Sequence, residues 1–153
     1  TIPSLNETSA NAIIDSLNKM NVKIKFITDG DVSGVIYVVD KSSPVDIYLG
    51  IGGGPEGVLA ASALSCLDGQ IQTRLVLDEE QIIKAKLLGI KDLKKKYNID
   101  EIIRGDTIFC ASGITDGDLL KGIVDKGDTF EASTYVLHKN SKTNIKVTNV
   151  HKK

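Results

Sequence analysis

The sequence predicts an α/β fold, a sandwich built on a mixed sheet. Segments with strand and helix patterns alternate through the first three quarters of the chain. A glycine-dense segment separates a β-branched run from a segment rich in Ala and Leu, and two strand-like runs joined by a polar turn end the chain. The length, 153 residues, suits one domain or one lobe of a two-lobed enzyme. No linker interrupts residues 1–153, so one domain is expected.

Composition and charge exclude several classes of function. Hydrophobic residues make up 41% and charged residues 25%, which is typical of a globular protein. The chain has 19 basic and 20 acidic residues, whereas a broad nucleic-acid surface needs a basic excess. No apolar run approaches the roughly 20 residues of a membrane span, and no leader predicts export. We expect a cytoplasmic protein without nucleic-acid or membrane partners.

The first third of the chain predicts one helix and three strands. Apolar residues at helical spacing predict a helix over Ser9–Met20. Alternation of apolar residues with lysine predicts a half-exposed strand over Val22–Thr28. Val35–Val39 and Val45–Leu49 are β-branched and aromatic runs, which favour two more strands.

The glycine-dense segment leads into a predicted helix over Glu56–Leu67, where Pro55 and an early glutamate favour a helix start and Gly69 favours its end. Glu79–Leu88 predicts another helix. The remaining predicted elements are a strand at Ile71–Leu77, two short helical pieces at Lys91–Lys96 (with a solvated lysine face) and Ile99–Ile103, a strand at Thr107–Ala111, a short helix at Asp116–Gly122, and a hairpin of Phe130–Leu137 and Asn144–Val150.

The two cysteines and two histidines predict no metal site of their own. Cys66 and Cys110 lie in apolar surroundings and are expected to be buried thiols in a reducing compartment. His138 and His151 lack ligand spacing, and His138 is expected at a sheet edge. Neither cysteine has a histidine nearby, so the sequence gives no indication of nucleophilic catalysis.

The turn Asp29-Gly30-Asp31 follows a predicted strand, at the position where open α/β sheets bind ligands. Its two carboxylates can accept hydrogen bonds from sugar hydroxyls or help to hold a divalent cation. The alternative is turn chemistry alone, in which aspartate caps and glycine adopts a positive φ. The pattern recurs at Asp116–Asp118, where a structural helix start is the favoured interpretation.

The segment Gly50–Gly54 joins a predicted strand to a helix start, so its backbone N–H groups can face an anion. No Lys-Ser/Thr pair follows the glycines, and Pro55 breaks the dinucleotide-binding spacing, so neither familiar phosphate motif is present. Glu56 would repel a bare phosphate. Bound to Mg²⁺ it would instead share the phosphate with the loop, and the alternative is a capping glutamate in a tight turn.

Three long motifs in order resemble the class II fructose-1,6-bisphosphatases, the bacterial metal-dependent type. They are Ile27–Val32, Gly50–Ala61 and Ala111–Gly122, and the likeness covers nearly the whole chain. The resemblance implies one lobe of an inositol-monophosphatase-like sugar phosphatase, here the C-terminal lobe. One segment departs from the family: a phosphate-gripping Lys-Pro-Arg-His type segment is replaced by Glu7–Ala10, which lacks those cations.

The resemblance also implies roles for particular residues. Asp29, Gly30 and Asp31 would contact the sugar bisphosphate, with Gly53 against the substrate. Glu56 would ligate Mg²⁺ or Mn²⁺. The implied reaction is metal-assisted hydrolysis of the 1-phosphate of fructose 1,6-bisphosphate, as in gluconeogenesis.

The family's other metal ligands belong to an N-terminal lobe absent from residues 1–153, so we expect this chain to fold but not to hydrolyse the substrate by itself. The implied partners are the sugar bisphosphate, the N-terminal lobe and, through an exposed apolar face, a second copy of the chain. The alternatives are a non-catalytic phosphosugar-binding lobe, a sedoheptulose 1,7-bisphosphatase variant and, from the glycine loop alone, a nucleotide-binding module.

Overall fold

A computed structural model describes residues 7–27 and 31–153, which form five helices, a four-stranded sheet and a separate two-stranded ribbon. The helices are α1 (Glu7–Lys19), α2 (Asp31–Val39), α3 (Gly54–Cys66), α4 (Glu79–Leu87) and α5 (Ile99–Ile102). The strands are β1 (Gln72–Arg74), β2 (Lys96–Asn98), β3 (Ile108–Ser112), β4 (Val124–Asp125), β5 (Thr129–His138) and β6 (Thr143–Lys152).

The larger sheet is built around β5. β6 pairs with it along its full length on one side, from Thr129↔Lys152 to His138↔Thr143, and β3 and β4 pair with successive parts of its other side. β1 pairs with β2 in the small ribbon. The predicted α/β class is confirmed, but the expected mixed sheet is wrong for the described strands, since all of their pairings are antiparallel.

The core lies between the helices α2 and α3 and the inner face of the larger sheet. Ile36 of α2 and Ala63 of α3 are buried together with Phe109, Tyr135 and Leu137 of the sheet. A second cluster joins α2, α3 and α5 through Val35, Ala60, Leu64 and Ile99. The buried residues of both clusters are aliphatic apart from one Phe, one Tyr and one Cys, and the chain has no Trp and few aromatic residues.

The run Val35–Val39, predicted as a strand, lies instead in α2. A short apolar run does not by itself distinguish a buried strand from a buried helix. Burial of Val35 and Ile36 against α3 favours the helix over the local β propensity. The described part of the first predicted strand, residues 22–27, and the predicted strand 45–49 form no regular element.

Other corrections concern local predictions. Residues 91–95 form a turn-containing loop rather than a helix, although their lysines are exposed as expected. Residues 116–122 form bends, not a helix. Cys110 is exposed, because alternation along β3 places it on the face opposite buried Phe109. His138 ends the central strand β5, so its expected edge position is also wrong.

Several elements agree with their sequence signals. α1, α3, α4 and α5 lie where helices are predicted, and β5 and β6 form the expected hairpin. α4 begins with a reciprocal capping box: Asp78 Oδ1 accepts from Gln81 N at 2.8 Å, and Gln81 Oε1 accepts from Asp78 N at 3.1 Å. Gly89, after α4, has φ +83°, which is typical of a helix C-terminus.

In the parts of the chain that the structure covers, none of the helices has the length and apolarity that crossing a membrane requires.

Candidate functional site

The predicted sugar-binding turn lies at the start of α2. The structure begins that helix at Asp31. Asp29, Gly30 and the side chain of Asp31 fall outside the described residues, so their contact with a sugar stays a prediction. The turn nevertheless leads directly into a helix whose next residues are packed in the core, since Val35 is only 5% exposed.

The glycine loop ends at the N-terminus of α3, as predicted. Gly53 is the N-cap residue, with φ −67° and ψ 164°, and its carbonyl accepts the first helical hydrogen bond from Gly57 N at 3.1 Å. No side chain caps this start. The N–H groups of Gly54 and Glu56 belong to the first turn, which has no acceptors within its own helix. Pro55 has no N–H to leave unpaired.

The side chain of Glu56 lies directly against Gly53. The Glu56 side chain folds back over the N-cap residue, so that a β-carbon on Gly53 would collide with Glu56 Oε2. Both residues are exposed. A carboxylate therefore lies at the positive end of a thirteen-residue helix, a favourable position for it even without a ligand. The two residues that the resemblance assigns to metal and substrate are thus neighbours in space.

Packing against the described residues does not require glycine at positions 54 and 57. A β-carbon at either position would meet no atom within 4 Å. Glycine within a helix costs about 1 kcal/mol relative to alanine. The bare first turn therefore leaves the backbone open to close approach from outside, which is what a phosphate-binding helix start requires.

Tyr48 connects the two helix starts. A β-carbon on Gly34, in α2, would lie 2.7 Å from Tyr48 Cε2, and one on Gly50, in the glycine loop, would lie 2.6 Å from the Tyr48 hydroxyl. At the other end of the helices, a β-carbon on Gly69 would meet both Val39 and Leu64 at 2.7 Å. Because the N-terminal ends of the two helices lie near each other and their C-terminal ends also lie near each other, α2 and α3 run in the same direction. Asp31 and Glu56 therefore lie at the same end of the helix pair.

A metal ion would need ligands beyond those described here. No three His, Cys, Asp or Glu side chains converge on a possible metal position within residues 7–27 and 31–153. Glu56 can supply one carboxylate to Mg²⁺, which binds proteins through few carboxylates but keeps close to octahedral geometry. The residues that the structure describes thus fit part of a metal site and not a whole one.

The second Asp-Gly-Asp copy closes a loop, and the helix start that was its favoured interpretation is wrong. Asp116 Oδ1 accepts a hydrogen bond from Gly122 N at 2.9 Å and closes the loop. A β-carbon on Gly122 would lie 2.6 Å from the carbonyl carbon of Thr115 and 2.7 Å from Asp116 N. Backbone packs on backbone there, so only glycine fits.

The more spacious of the two described pockets, about 340 Å³, lies near the end of α2 remote from Asp31, and sequence reasoning missed it. Its lining includes Lys25, Tyr37, Asp40 and Asp118. Burial raises the pKa of Tyr37, and the negative charge of Asp118, together with its hydrogen bond, raises it further. Hydrogen bonds from Ser42 lower the pKa of Asp40. The pocket was missed because Tyr37 falls in the run predicted as a strand.

Comparison with known proteins follows the same motifs. The chain matches the family described as bacterial fructose-1,6-bisphosphatase, glpX-encoded, over residues 1–151. It is 33% identical to the class 2 fructose-1,6-bisphosphatase of Haemophilus influenzae, over 99% of this chain and 50% of that protein. It is 32% identical to fructose-1,6-bisphosphatase 1 class 2 of Escherichia coli K12, over 99% of this chain and 49% of that protein.

The chain spans about half the length of the curated relatives it matches. The resemblance noted from the three motifs is therefore confirmed at the level of the family. With the family profile matched almost from end to end, the chain belongs to the bacterial, glpX-encoded fructose-1,6-bisphosphatases.

Proposed function

We propose that this chain forms one half of a metal-dependent phosphatase that hydrolyses the 1-phosphate of fructose 1,6-bisphosphate to give fructose 6-phosphate and phosphate. The observation that carries the proposal is the start of α3. There the Glu56 side chain folds onto Gly53. Packing does not explain why the nearby positions 54 and 57 are also glycine. The relatives that share this segment are named fructose-1,6-bisphosphatases.

Each residue has a role in this proposal. The backbone at Gly53 and Gly54 approaches a phosphate, as the bare helix start allows. Glu56 gives one oxygen to Mg²⁺ or Mn²⁺, and the remaining ligands come from the half that this chain does not cover. Asp29, Gly30 and Asp31 orient the sugar by accepting hydrogen bonds from its hydroxyls. When bound, the metal supplies charge neutralisation and an activated water.

The proposal extends to architecture and partners. We assign the chain to the C-terminal lobe of an inositol-monophosphatase-like fold that works in the cytoplasm against an N-terminal lobe. The parallel helices α2 and α3 support a site at one end of the lobe, because they bring the starts of both motifs to the same end. A second copy of the chain is a further proposed partner.

The decisive experiment joins this chain to the part of the Haemophilus influenzae relative that it does not cover. The chimera should release phosphate from fructose 1,6-bisphosphate with Mg²⁺ or Mn²⁺, whereas the isolated chain should be folded by circular dichroism and inactive. Glu56→Gln should remove most of the chimera's activity, because an amide is a poorer ligand. Glu79→Gln, in the first turn of α4, is the matched control. Turnover by the isolated chain would show that the lobe is sufficient.

The sugar-binding role is tested separately in the same chimera. Asp29→Ala should raise KM for the bisphosphate with little change in the Mg²⁺ requirement, since a carboxylate that reads hydroxyls acts on substrate binding. Asp46→Ala, which removes another exposed aspartate, should change neither. A large shift in the metal requirement at constant KM would instead assign Asp29 to the metal.

A second candidate is a phosphosugar-binding lobe without catalysis. It is favoured by the single carboxylate at the start of α3 and the absence of a converging metal-ligand group in the described residues. Calorimetry with the isolated chain and fructose 1,6-bisphosphate, alongside the chimera assay, separates the two. Binding together with an inactive chimera would favour this candidate. Sedoheptulose 1,7-bisphosphate in the same assay tests the variant substrate.

A further inference from the structure

The side chain of Tyr48 lies between the two segments that the proposed site uses. One edge of its ring faces α2, since a β-carbon on Gly34 would lie 2.7 Å from Cε2 and 3.0 Å from Cδ2. The hydroxyl and the opposite edge face the glycine loop, since a β-carbon on Gly50 would lie 2.6 Å from the hydroxyl oxygen and 3.1 Å from Cε1. Glycine is therefore needed on both sides of the ring as long as the ring keeps its place.

The surroundings of Tyr48 limit how far its ring can move. The side chain is half-buried and packs against the cluster of Val35, Ala60, Leu64 and Ile99 that joins α2, α3 and α5. The ring itself is rigid, and packed side chains keep to a few staggered conformations. A displacement of α2 at Gly34 is therefore passed across the ring to Gly50.

The two contacts of the ring belong to different parts of the proposed site. Gly34 lies within the first turn of α2, which begins at Asp31 and follows the predicted sugar-binding turn. Gly50 opens the loop that ends at Gly53, the N-cap residue of α3. The core clusters fix the two helices relative to each other, but residues 50–53 precede α3 and form no regular element. Tyr48 thus gives this irregular loop a direct contact with the other helix.

We infer that Tyr48 is a positioning residue that holds the glycine loop at a fixed distance from the start of α2. A ligand with a sugar at one of these segments and a phosphate at the other then meets both in a preorganised arrangement, which lowers the entropic cost of binding. The inference rests on the proposed phosphatase function for its substrate. Because loop placement affects the bound ground state and the transition state alike, Tyr48 should act on KM more than on kcat.

The first test measures kcat and KM of the chimera for fructose 1,6-bisphosphate. Tyr48→Leu, which removes the ring, should raise KM at least about tenfold with little change in kcat, since a displacement of about 1 Å at a site can cost about 100-fold. Tyr48→Phe keeps the ring against Gly34 and should recover most of the affinity. Tyr37→Leu is the matched control, because it removes another half-buried ring of α2 at the end remote from Asp31.

Two outcomes of these assays would overturn the inference. One is an unchanged KM in a folded Tyr48→Leu chimera. The other is a Tyr48→Phe variant that loses kcat as strongly as Tyr48→Leu, because that result would make the hydroxyl part of the chemistry instead of the ring part of the scaffold. Circular dichroism checks that each variant folds.

The second test needs no catalysis, since it follows the backbone amide signals of residues 51–54 by NMR in the 153-residue chain. Gly34→Ala should shift these signals when Tyr48 is present and leave them nearly unchanged in the Tyr48→Leu background. Gly69→Ala is the matched control, because its β-carbon meets Val39 and Leu64 at the other end of the helix pair, and it should shift them far less.

The two tests separate this inference from the proposed function. Loop signals that respond to Gly34→Ala only through Tyr48 would support the positioning role even in an inactive chimera, and the inactivity would then count against the phosphatase alone. Loop signals that respond equally with and without the ring would overturn the positioning role even in an active chimera.

Discussion

Gly34 and Tyr48 are in a contact that no larger residue at position 34 permits. A β-carbon there would lie 2.7 Å from Tyr48 Cε2 and 2.9 Å from Ile27 Cδ1. The Tyr48 side chain is half-buried, and its hydroxyl lies close to Gly50 in the glycine loop. The position of the glycine loop thus depends on Gly34, a glycine of α2 that lies outside the three motifs.

The first prediction is that Gly34→Ala destabilises the chain. Alanine suits a helix better than glycine by about 1 kcal/mol, but the rigid Tyr48 ring must move, and overpacking of this kind typically costs about 1–3 kcal/mol. Urea unfolding should show a lower midpoint with an unchanged slope. In the chimera, KM should rise as well, because displacement of the ring shifts Gly50. An increase in stability would contradict this prediction and show that the Tyr48 ring moves aside at little energetic cost.

The second prediction concerns Gly57, where the opposite sign is expected. A β-carbon at this position meets nothing, so Gly57→Ala should raise the free energy of unfolding by about 0.5–1 kcal/mol. Substrate affinity of the chimera should fall, because the methyl group enters the space at the first turn. Gly53→Ala is the contrasting variant, since its β-carbon collides with Glu56. If Gly57→Ala leaves the substrate affinity unchanged, the phosphate does not bind at this turn.

The third prediction separates the two Asp-Gly-Asp copies. Gly122→Ala should cost about 1–3 kcal/mol of stability, because the methyl group meets backbone atoms of the 115–116 peptide. Asp116→Ala should cost about 1 kcal/mol through the lost hydrogen bond to Gly122 N. Neither change should alter KM in the folded chimera. A KM effect from Asp116→Ala as large as that from Asp29→Ala would make the second copy part of the site.

The fourth prediction is that the stability of the folded chain depends on pH through Asp106, next to the turn of the β5–β6 hairpin. His138 Nε2 lies 2.7 Å from Asp106 Oδ2, and this hydrogen bond is the main cause that lowers the pKa of Asp106; the N–H groups of Thr107 and Asn140 contribute to the same shift. Because the pKa of Asp106 is lower in the folded than in the unfolded chain, its carboxylate stabilises the fold at pH values above its unfolded-state pKa of about 3.9. That stabilisation is lost as the pH falls through its folded-state pKa. The stability of the wild type should therefore fall with acid in that window.

Replacement of His138 tests the cause of that shift. In His138→Gln the pKa of Asp106, followed by NMR of its carboxyl carbon, should rise towards the ordinary value, and the acid dependence of unfolding should weaken. Asp125 is the internal control, because its pKa is lowered by Lys153 and by Gly127 N–H instead. An Asp106 titration that the substitution leaves unmoved would assign the shift to the backbone donors.

Local signals in the sequence determined a large part of this protein. Two strand-like runs and the polar turn between them predicted the β5–β6 hairpin, and Pro55 with an early glutamate predicted α3. The order of three motifs identified the family, and the glycine loop next to Glu56 predicted a site at a helix start. These signals lie within a few residues of one another, so the neighbouring sequence alone sets the local structure.

Only the tertiary structure decided the features that depend on distant contacts. The run Val35–Val39 forms a helix because α3 buries its apolar side, although its β-branched residues favour a strand. Cys110 is exposed because alternation along β3 turns it away from the core. Propensity acts between neighbours in sequence, whereas burial and register depend on residues up to a hundred positions apart, which meet only in the folded chain.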